Sequence, residues 1–314
     1  MASPPAYPTE EHACLVAHEG PVLCVRFSRT GAYLLTCGRD RTFRLWNPYK
    51  ATLIKTYAGH AHEVRDVSCA SDNSRLATCG GDKQVFVWDV ATGAKLRRFR
   101  GHEGGGVNAV AFAADHDQVV VSAGYDRRVN LYDARANTPD PAQSLLAHAD
   151  SVSSVAVADH RVVSGGVDGV VCTWDVRAGV RHRDDIRRPV GRVSFSGDGG
   201  CVLAGVVESR LALLDASSGE VLAEYRGHAH ERSAIASTLS SDDALVASGS
   251  EDGRVVTWEL VDADVVASID AHPKHSACGL DWHPRGDVMA TGGTDGLAKL
   301  WVSPGGRGRR AQPE

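Results

Sequence analysis

The sequence contains no apolar stretch long enough to cross a lipid bilayer. Its longest apolar runs, among them VVVSAG and GVVCTW, are far shorter than the roughly 20 residues that a membrane helix needs. The amino terminus, MASPPAYPTEEHA, has neither a basic segment nor an apolar core, so we expect no secretory signal. A strong charge imbalance is also absent, because the net charge is −5 over 314 residues. Nothing in this balance attracts the whole protein to nucleic acids or anionic membranes.

Cysteine pairs with metal or redox spacing are missing as well. The eight cysteines form no C-x-x-C motif. Six of them lie in strand-like runs, where small or apolar residues are usual: Cys24, Cys37, Cys69, Cys79, Cys172 and Cys201. We interpret these as reduced thiols of an intracellular protein. A phosphate-binding loop is not evident either, because the GGG at 104–106 precedes a predicted strand instead of a helix.

What the sequence does contain is one motif repeated seven times. Each copy resembles LLTCGRDRTFRLWN (34–47) and ends near an aromatic anchor, which is replaced by leucine in the fifth copy. The anchors are Trp46, Trp88, Tyr132, Trp174, Leu214, Trp258 and Trp301, and successive anchors are 40–44 residues apart. This period, in a chain without helical periodicity, is typical of β-propellers.

Each repeat is predicted to form four short strands. Asp-Gly pairs at 168–169, 252–253 and 295–296 suit the tight turns between them. We therefore predict an all-β fold, a seven-bladed propeller over residues 13–302, with residues 1–12 and the basic residues 303–314 as disordered tails. The segment ACLVAH (13–18) resembles an outer strand with no blade before it. We expect it to close the last blade, since an unpaired outer strand invites aggregation.

Six of the repeats share a quartet of side chains at matching offsets. Each quartet begins with an upstream histidine. A serine or threonine then stands four residues before an aspartate, and an aromatic residue stands six residues after that aspartate. The quartets are His18, Thr36, Asp40, Trp46; His60, Thr78, Asp82, Trp88; His102, Ser122, Asp126, Tyr132; His148, Ser164, Asp168, Trp174; His228, Ser248, Asp252, Trp258; and His272, Thr291, Asp295, Trp301.

Histidine, a hydroxyl and aspartate are also the components of a hydrolytic triad. An enzyme, however, needs one such set in a cleft, and six copies in a ring favour a structural role as buried, mutually paired polar groups. No two histidines show metal-ligand spacing within one element. We therefore expect no catalytic, cofactor-binding or metal site.

The fifth repeat, at about residues 180–225, is degenerate. It has Ala204 in place of the hydroxyl, Glu208 in place of the aspartate and Leu214 in place of the aromatic residue. Without a quartet, we expect this blade to depend on apolar packing for its stability.

Gly-His pairs at 59–60, 101–102 and 227–228, and Trp-Asp pairs at 88–89 and 174–175, resemble the WD-repeat (WD40) family. This resemblance implies that the quartet is the hydrogen-bonded tetrad that ties the strands of a blade together. Stretches such as DNSRLATCGGDKQVFVWDVATGAKLRRFRGH and FSGDGGCVLAGVVESRLALLD are further similar to the mitogen-activated protein kinase organizer family. That second resemblance implies a non-enzymatic adaptor in the cytoplasm and nucleus, which assembles kinases of a cascade, belongs to catalytic-stage spliceosomes, or does both.

Partner-binding residues are expected on the face formed by the loops before the inner strands. The candidates precede a quartet aspartate or flank an inner strand: Arg39, Glu63, Arg65, Asn108, Tyr125 and Glu251. Exposed tyrosine and arginine side chains often dominate the energy of an interface. We expect protein partners, no sequence-specific binding of nucleic acid, no membrane contact, and a monomeric ring within larger complexes.

Two other segments offer alternatives. YDAR (132–135) and WDVR (174–177) resemble the WD-x-Arg motif of receptors for cullin-4 ubiquitin ligases, in which Arg135 and Arg177 would contact the ligase adaptor. The arginine-rich stretch 176–192 is either a surface for an acidic partner, phosphate or RNA backbone, or a charged outer strand, and the second interpretation is favoured.

Overall fold

The computed structural model describes residues 7–113, 117–175, 181–232, 234–286 and 288–304. Within these residues the chain forms 28 β-strands and no α-helix. In chain order the strands are β1 (Glu10–Val16), β2 (Val22–Phe27), β3 (Leu34–Gly38), β4 (Thr42–Asn47), β5 (Thr52–Ala58), β6 (Val64–Cys69), β7 (Arg75–Gly80), β8 (Val85–Asp89), β9 (Lys95–Phe99), β10 (Val107–Phe112), β11 (Val119–Gly124), β12 (Arg128–Asp133), β13 (Gln143–Leu146), β14 (Val152–Ala158), β15 (Arg161–Gly166), β16 (Val170–Asp175), β17 (Arg181–Asp185), β18 (Val190–Phe195), β19 (Cys201–Val206), β20 (Arg210–Asp215), β21 (Val221–Arg226), β22 (Ser237–Leu239), β23 (Leu245–Gly249), β24 (Arg254–Glu259), β25 (Val265–Asp270), β26 (Ala277–Trp282), β27 (Val288–Gly293) and β28 (Leu297–Val302).

These strands pair into seven four-stranded antiparallel sheets. Blades 1 to 6 each consist of four consecutive strands, from β2–β5 to β22–β25, and the seventh has the order β1-β28-β27-β26. The first strand of each blade contacts the first strand of the next, and β2 contacts β26, so the inner strands complete a circle. The predicted seven-bladed β-propeller is confirmed.

Strand β1 closes the ring, as the sequence predicted, by pairing with β28 from Glu10–Val302 to Val16–Leu297. Its side chain Leu15 is only 3% exposed, within the apolar core between blades 7 and 1. The strand begins at Glu10, so it includes the last three residues of the segment 1–12, for which the sequence predicts a disordered tail. The backbone of Glu10 and Glu11 pairs with β28 whatever side chains it carries, which is why hydropathy placed the boundary too late.

The arginine-rich stretch also has a place in the sheets. Strand β17 (Arg181–Asp185) pairs with β16, so the described part of 176–192 includes the charged outer strand of blade 4. Blade 5 therefore runs from Val190 to Arg226 and does not begin near residue 180. Residues 176–180, including Arg177, and residues 305–314 lie outside the described part of the chain.

Apolar side chains fill the spaces between neighbouring blades. In blade 5, Leu203, Leu211 and Tyr225 pack against Val246 and Trp258 of blade 6. Leu214, at the aromatic position of the degenerate repeat, is 1% exposed and packs on the opposite side, against blade 4. The apolar cores thus lie between the flat faces of adjacent sheets. The strand ends and turns form the two open surfaces of the ring.

Candidate functional site

The quartet of blade 1 forms one continuous chain of hydrogen bonds. Nδ1 of His18 lies 3.0 Å from Oδ1 of Asp40, and Nε2 lies 2.9 Å from Oγ1 of Thr36. The indole Nε1–H of Trp46 donates to the same Oγ1 at 3.0 Å. An ionised carboxylate can only accept, so Nδ1 donates to Asp40 and the threonine hydroxyl donates to Nε2.

The pKa shifts agree with this assignment. Burial lowers the pKa of His18 below its ordinary value of 6.5, which favours the neutral imidazole. Burial by itself raises the pKa of Asp40, but hydrogen bonds from Thr42 and His18 outweigh burial and hold it below its ordinary value. The aspartate is therefore ionised and the histidine neutral near pH 7.

The same network recurs in four more blades. Around His60, His148 and His272 the Nδ1–carboxylate distances are 2.9 Å and the Nε2–hydroxyl distances are 2.8–3.0 Å. Around His102 these distances are 2.9 and 2.6 Å, and Tyr132 stands where the other blades have tryptophan. Although the order hydroxyl–imidazole–carboxylate matches a catalytic triad, the five hydroxyl-bearing residues, Thr36, Thr78, Ser122, Ser164 and Thr291, are completely buried, so no substrate reaches them.

The sixth predicted quartet does not form. In blade 6 the Ser248 hydroxyl donates to the carbonyl of Gly249, and the indole of Trp258 donates to the carbonyl of Arg226. Asp252 pairs instead with the guanidinium of Arg254, at 2.7–2.8 Å. Both ring nitrogens of His228 are buried without a hydrogen-bond partner among the described residues, and burial lowers the pKa of this histidine to about 4.

Ser250 explains why blade 6 differs. In each of the five complete quartets the residue two positions before the aspartate is glycine: Gly38, Gly80, Gly124, Gly166 and Gly293. A Cβ on four of these glycines would lie 2.3–2.7 Å from the quartet histidine, and on Gly80 it would lie 2.1 Å from a backbone carbonyl. In blade 6 that position is Ser250, whose hydroxyl accepts the N–H of Ala229. In blades 1 to 4 the corresponding N–H donates to the quartet aspartate.

We predict that Ser250→Gly stabilises the protein. Without the Ser250 side chain, Asp252 can turn inward and pair with His228, which satisfies a buried imidazole. Each recovered hydrogen bond is worth about 1 kcal/mol, part of which the entropy of the added glycine offsets. The expected net gain of about 1 kcal/mol corresponds to a rise in Tm of roughly 2 °C, measurable by calorimetry. Ser250→Ala, which keeps the Cβ, is the control and should give no gain; equal behaviour of the two variants would refute this explanation.

A cavity of about 820 Å³ opens at the mouth of the central channel, on the face that carries the quartet aspartates. Five of the six candidate interface residues line it: Arg39, Glu63, Arg65, Asn108 and Tyr125. The sixth, Glu251, is not in the lining; its carboxylate accepts the backbone N–H groups of Glu231 and Arg232.

Arg65 is held in the cavity lining by several contacts. Its guanidinium donates to Oε1 of Glu63 at 2.7 and 3.1 Å and to Oδ1 of Asn108 at 2.8 Å. The ring of Tyr125, which is 50% exposed, lies 5.1 Å from the guanidinium carbon, within cation–π range. A fixed cation beside an exposed aromatic ring is a combination common in protein interfaces.

Below the mouth, a cluster of charges crosses the channel. Asp66 of blade 2 is completely buried and lies 3.6 Å from Arg192 of blade 5 and 3.8 Å from Arg26 of blade 1. The carboxylate also accepts the thiol S–H of Cys24 and the N–H of Val110. Burial raises the pKa of Asp66, but the two arginines outweigh it and keep the carboxyl ionised. Sequence reasoning missed this cluster, because its members come from separate repeats.

Several cavity residues were also missed, although the positional rule applies to them. Val167, Val207 and Thr294 stand directly before a quartet acid or its equivalent, as Arg39 and Tyr125 do, and they line the cavity. Residue type gives no reason to select them, because two aliphatic side chains and a threonine carry no distinctive binding chemistry. Applied without regard to residue type, the rule would have found them.

The remaining predicted contacts lie elsewhere. Arg135 is on the outside of blade 3, where its guanidinium is held by the carboxylate of Asp133 at 2.9–3.0 Å.

No helix among the described residues is long and apolar enough to span a membrane. Over the same ranges, no group of three or more histidine, cysteine or acidic side chains is arranged to hold a metal ion.

Comparison with known proteins adds independent evidence. The family model described as "WD domain, G-beta repeat" matches residues 10–47, 51–89, 93–133, 139–175, 219–259 and 263–302, leaving most of the degenerate blade 5 unmatched. "WD repeat domain-containing protein 83" of Rattus norvegicus is 42% identical over 287 residues, which cover 91% of this chain and 90% of that protein.

The protein of the same name in Homo sapiens is 42% identical over 280 residues, covering 86% of this chain and 88% of its own length. That of Danio rerio is 38% identical over 283 residues, covering 90% and 89%. Since the repeat matches extend over most of the chain and fall on the blades of a seven-bladed propeller, this chain belongs to the WD40 repeat family.

Proposed function

We propose that this protein is a non-catalytic scaffold that brings other proteins together. The observation that carries the proposal is the channel mouth, where a fixed arginine and an exposed tyrosine stand on a ring held rigid by five buried quartets. Propellers of this family are typically interaction scaffolds without enzymatic activity. A rigid, largely preformed surface binds without a large ordering penalty, which suits an assembly platform.

We further propose that the scaffold serves pre-mRNA splicing complexes, a mitogen-activated protein kinase cascade, or both, in the cytoplasm and nucleus. The support is the sequence similarity to the kinase organizer family, which is spread over several blades. The relatives called WD repeat domain-containing protein 83 match nearly their whole length, so the similarity is not confined to one repeat. In this proposal the ring is a monomer that binds proteins and does not read a nucleic-acid sequence.

Affinity purification followed by mass spectrometry tests this proposal. The double variant Arg39→Glu/Arg65→Glu reverses two cations of the cavity and is expected to lose most of the partners that the wild-type protein captures. The control is Arg29→Glu/Arg98→Glu, which reverses two exposed arginines outside the cavity. Spliceosome subunits or cascade kinases among the lost partners would identify the role. Equal capture by both double variants would exclude the channel mouth as the binding surface.

A substrate receptor of a cullin-4 ubiquitin ligase is the alternative. Its support is that the Arg135 side chain is 66% exposed, as an adaptor contact requires. If this alternative holds, the wild-type protein captures the ligase adaptor in the same purification. The Arg135→Ala variant loses the adaptor but retains the other partners. Absence of the adaptor from the wild-type sample would contradict it.

A further inference from the structure

The lining of the channel mouth combines charged and apolar side chains. Blades 1 to 3 contribute Arg39, Glu63, Arg65 and Asn108, whereas blades 4 and 5 add three apolar residues, Val167, Pro189 and Val207, beside Asp150 and Arg192. Tyr125 is 50% exposed and Val167 is 42% exposed, so apolar area is open to solvent next to charged groups. A ligand that covers the mouth therefore meets an apolar patch, formed by Val167, Pro189 and Val207, as well as charged groups.

The charges of the lining favour an anionic ligand. Four arginines line the cavity, Arg39, Arg65, Arg192 and Arg232, against two acids, Glu63 and Asp150. This local excess of positive charge stands in a protein whose net charge is −5. Arg65 and Arg192 already have carboxylate partners, whereas Arg39 and Arg232 have no ion pair among the described residues. Two cations are thus available to a ligand.

The positions of Arg39 and Arg232 favour a ligand with two separated negative charges over a ligand with one doubly charged group. Arg39 belongs to blade 1 and Arg232 to the loop that enters blade 6, and blade 7 lies between them. Blade 7 contributes the neutral Thr294 at the position that corresponds to Arg39. A single phosphate dianion is bound best by arginines that converge on it, whereas two carboxylates along a peptide can each meet one arginine.

We propose that the channel mouth binds a peptide segment of a partner protein in which acidic side chains stand next to an aliphatic or aromatic one. The apolar side chain contacts Val167 and Val207, beside Tyr125, and the carboxylates face Arg39 and Arg232. The cavity of about 820 Å³ has room for several side chains of such a segment. This proposal rests on the proposed scaffold function and specifies the chemistry of what the scaffold binds.

Selection of displayed random twelve-residue peptides on the full chain tests the proposal. Enriched peptides are expected to contain aspartate or glutamate within a few residues of an apolar side chain. In fluorescence anisotropy, Arg39→Glu/Arg232→Glu and, separately, Val167→Asp should weaken binding of an enriched peptide by about tenfold or more. Matched controls on the opposite face, Arg29→Glu and Val261→Asp, should bind like the wild type.

Three results would overturn the proposal: enrichment of basic or uncharged peptides, binding that survives both cavity variants, or a phosphorylated version of the peptide binding more than tenfold tighter than the carboxylate version. Failure here is distinguishable from failure of the scaffold function. If the cavity variants lose cellular partners but no acidic peptide binds, the scaffold stands and the ligand class is wrong. If neither partners nor peptides respond to the cavity variants, both proposals fail.

Discussion

Removal of residues 1–17 is expected to destabilise the entire ring. It deletes β1, the strand that pairs with β28 along its whole length, and it removes Leu15 and Ala17 from the core between blades 7 and 1. Each lost backbone hydrogen bond is worth about 0.5–1.5 kcal/mol, and loss of a buried leucine side chain about 2–5 kcal/mol. The total, about 4 kcal/mol or more, is a large part of the stability of an ordinary domain.

Thermal unfolding measures this effect, and light scattering measures a second one. Without β1, the apolar strand β28 becomes an open edge, which is a template for association with other chains. The truncated protein should therefore melt at a markedly lower temperature and aggregate. A control that lacks residues 1–6 keeps β1 and should behave like the full chain. Full retention of the melting temperature after removal of residues 1–17 would show that β1 does not close the ring.

The second large effect is expected for Asp66→Asn. The substitution keeps the shape of the side chain but removes the negative charge that faces Arg26 and Arg192. Removing one member of a buried ion pair typically destabilises by about 3–5 kcal/mol. Because the two arginine side chains are 31% and 18% exposed, solvent screens part of this effect. We therefore expect the free energy of unfolding to fall by about 2–3 kcal/mol, somewhat less than the full buried-pair value.

Two further variants separate this explanation from a general intolerance of the site. Asp133→Asn removes the carboxylate from the exposed Arg135 pair and should change stability by less than about 0.5 kcal/mol. Arg192→Met combined with Asp66→Asn should be destabilised by less than the sum of the single variants, because one unpaired cation is removed together with its partner. Additive effects in chemical denaturation would mean that the two side chains do not interact across the channel.

The sequence was sufficient to predict the ring and its closure. The anchors recur at Trp46, Trp88, Tyr132, Trp174, Leu214, Trp258 and Trp301. This period, together with the lack of helical periodicity, indicates a repeated four-stranded unit, and the number of anchors gave the number of blades. Five of the candidate interface residues meet in one cavity because each occupies one of two positions, before the quartet aspartate or beside the start of an inner strand, that lie on the same face of every blade. The rule fails at Glu251, whose carboxylate is instead bound by the backbone N–H groups of Glu231 and Arg232.

Periodicity could not predict the effects of residues that differ between repeats or of contacts between distant repeats. His228, Ser248, Asp252 and Trp258 fit the quartet pattern, but Ser250 occupies the space that glycine leaves free in the complete quartets, and the network does not form. The ion pair between Asp66 and Arg192 joins blades on opposite sides of the ring, a contact that no repeat contains within itself. Steric exclusion and contacts between distant repeats appear only in three dimensions.

The pairing of β1 with β28 also has a consequence for biosynthesis. Glu10 leaves the ribosome before any other residue of the propeller, yet its partner Val302 is made last. At translation rates of about 5–20 residues per second, roughly 15–60 seconds pass between the synthesis of β1 and that of its pairing partner β28. During that interval the nascent polypeptide carries an unmatched hydrogen-bonding edge, so we expect chaperones to engage the emerging chain until the final segment clears the exit tunnel.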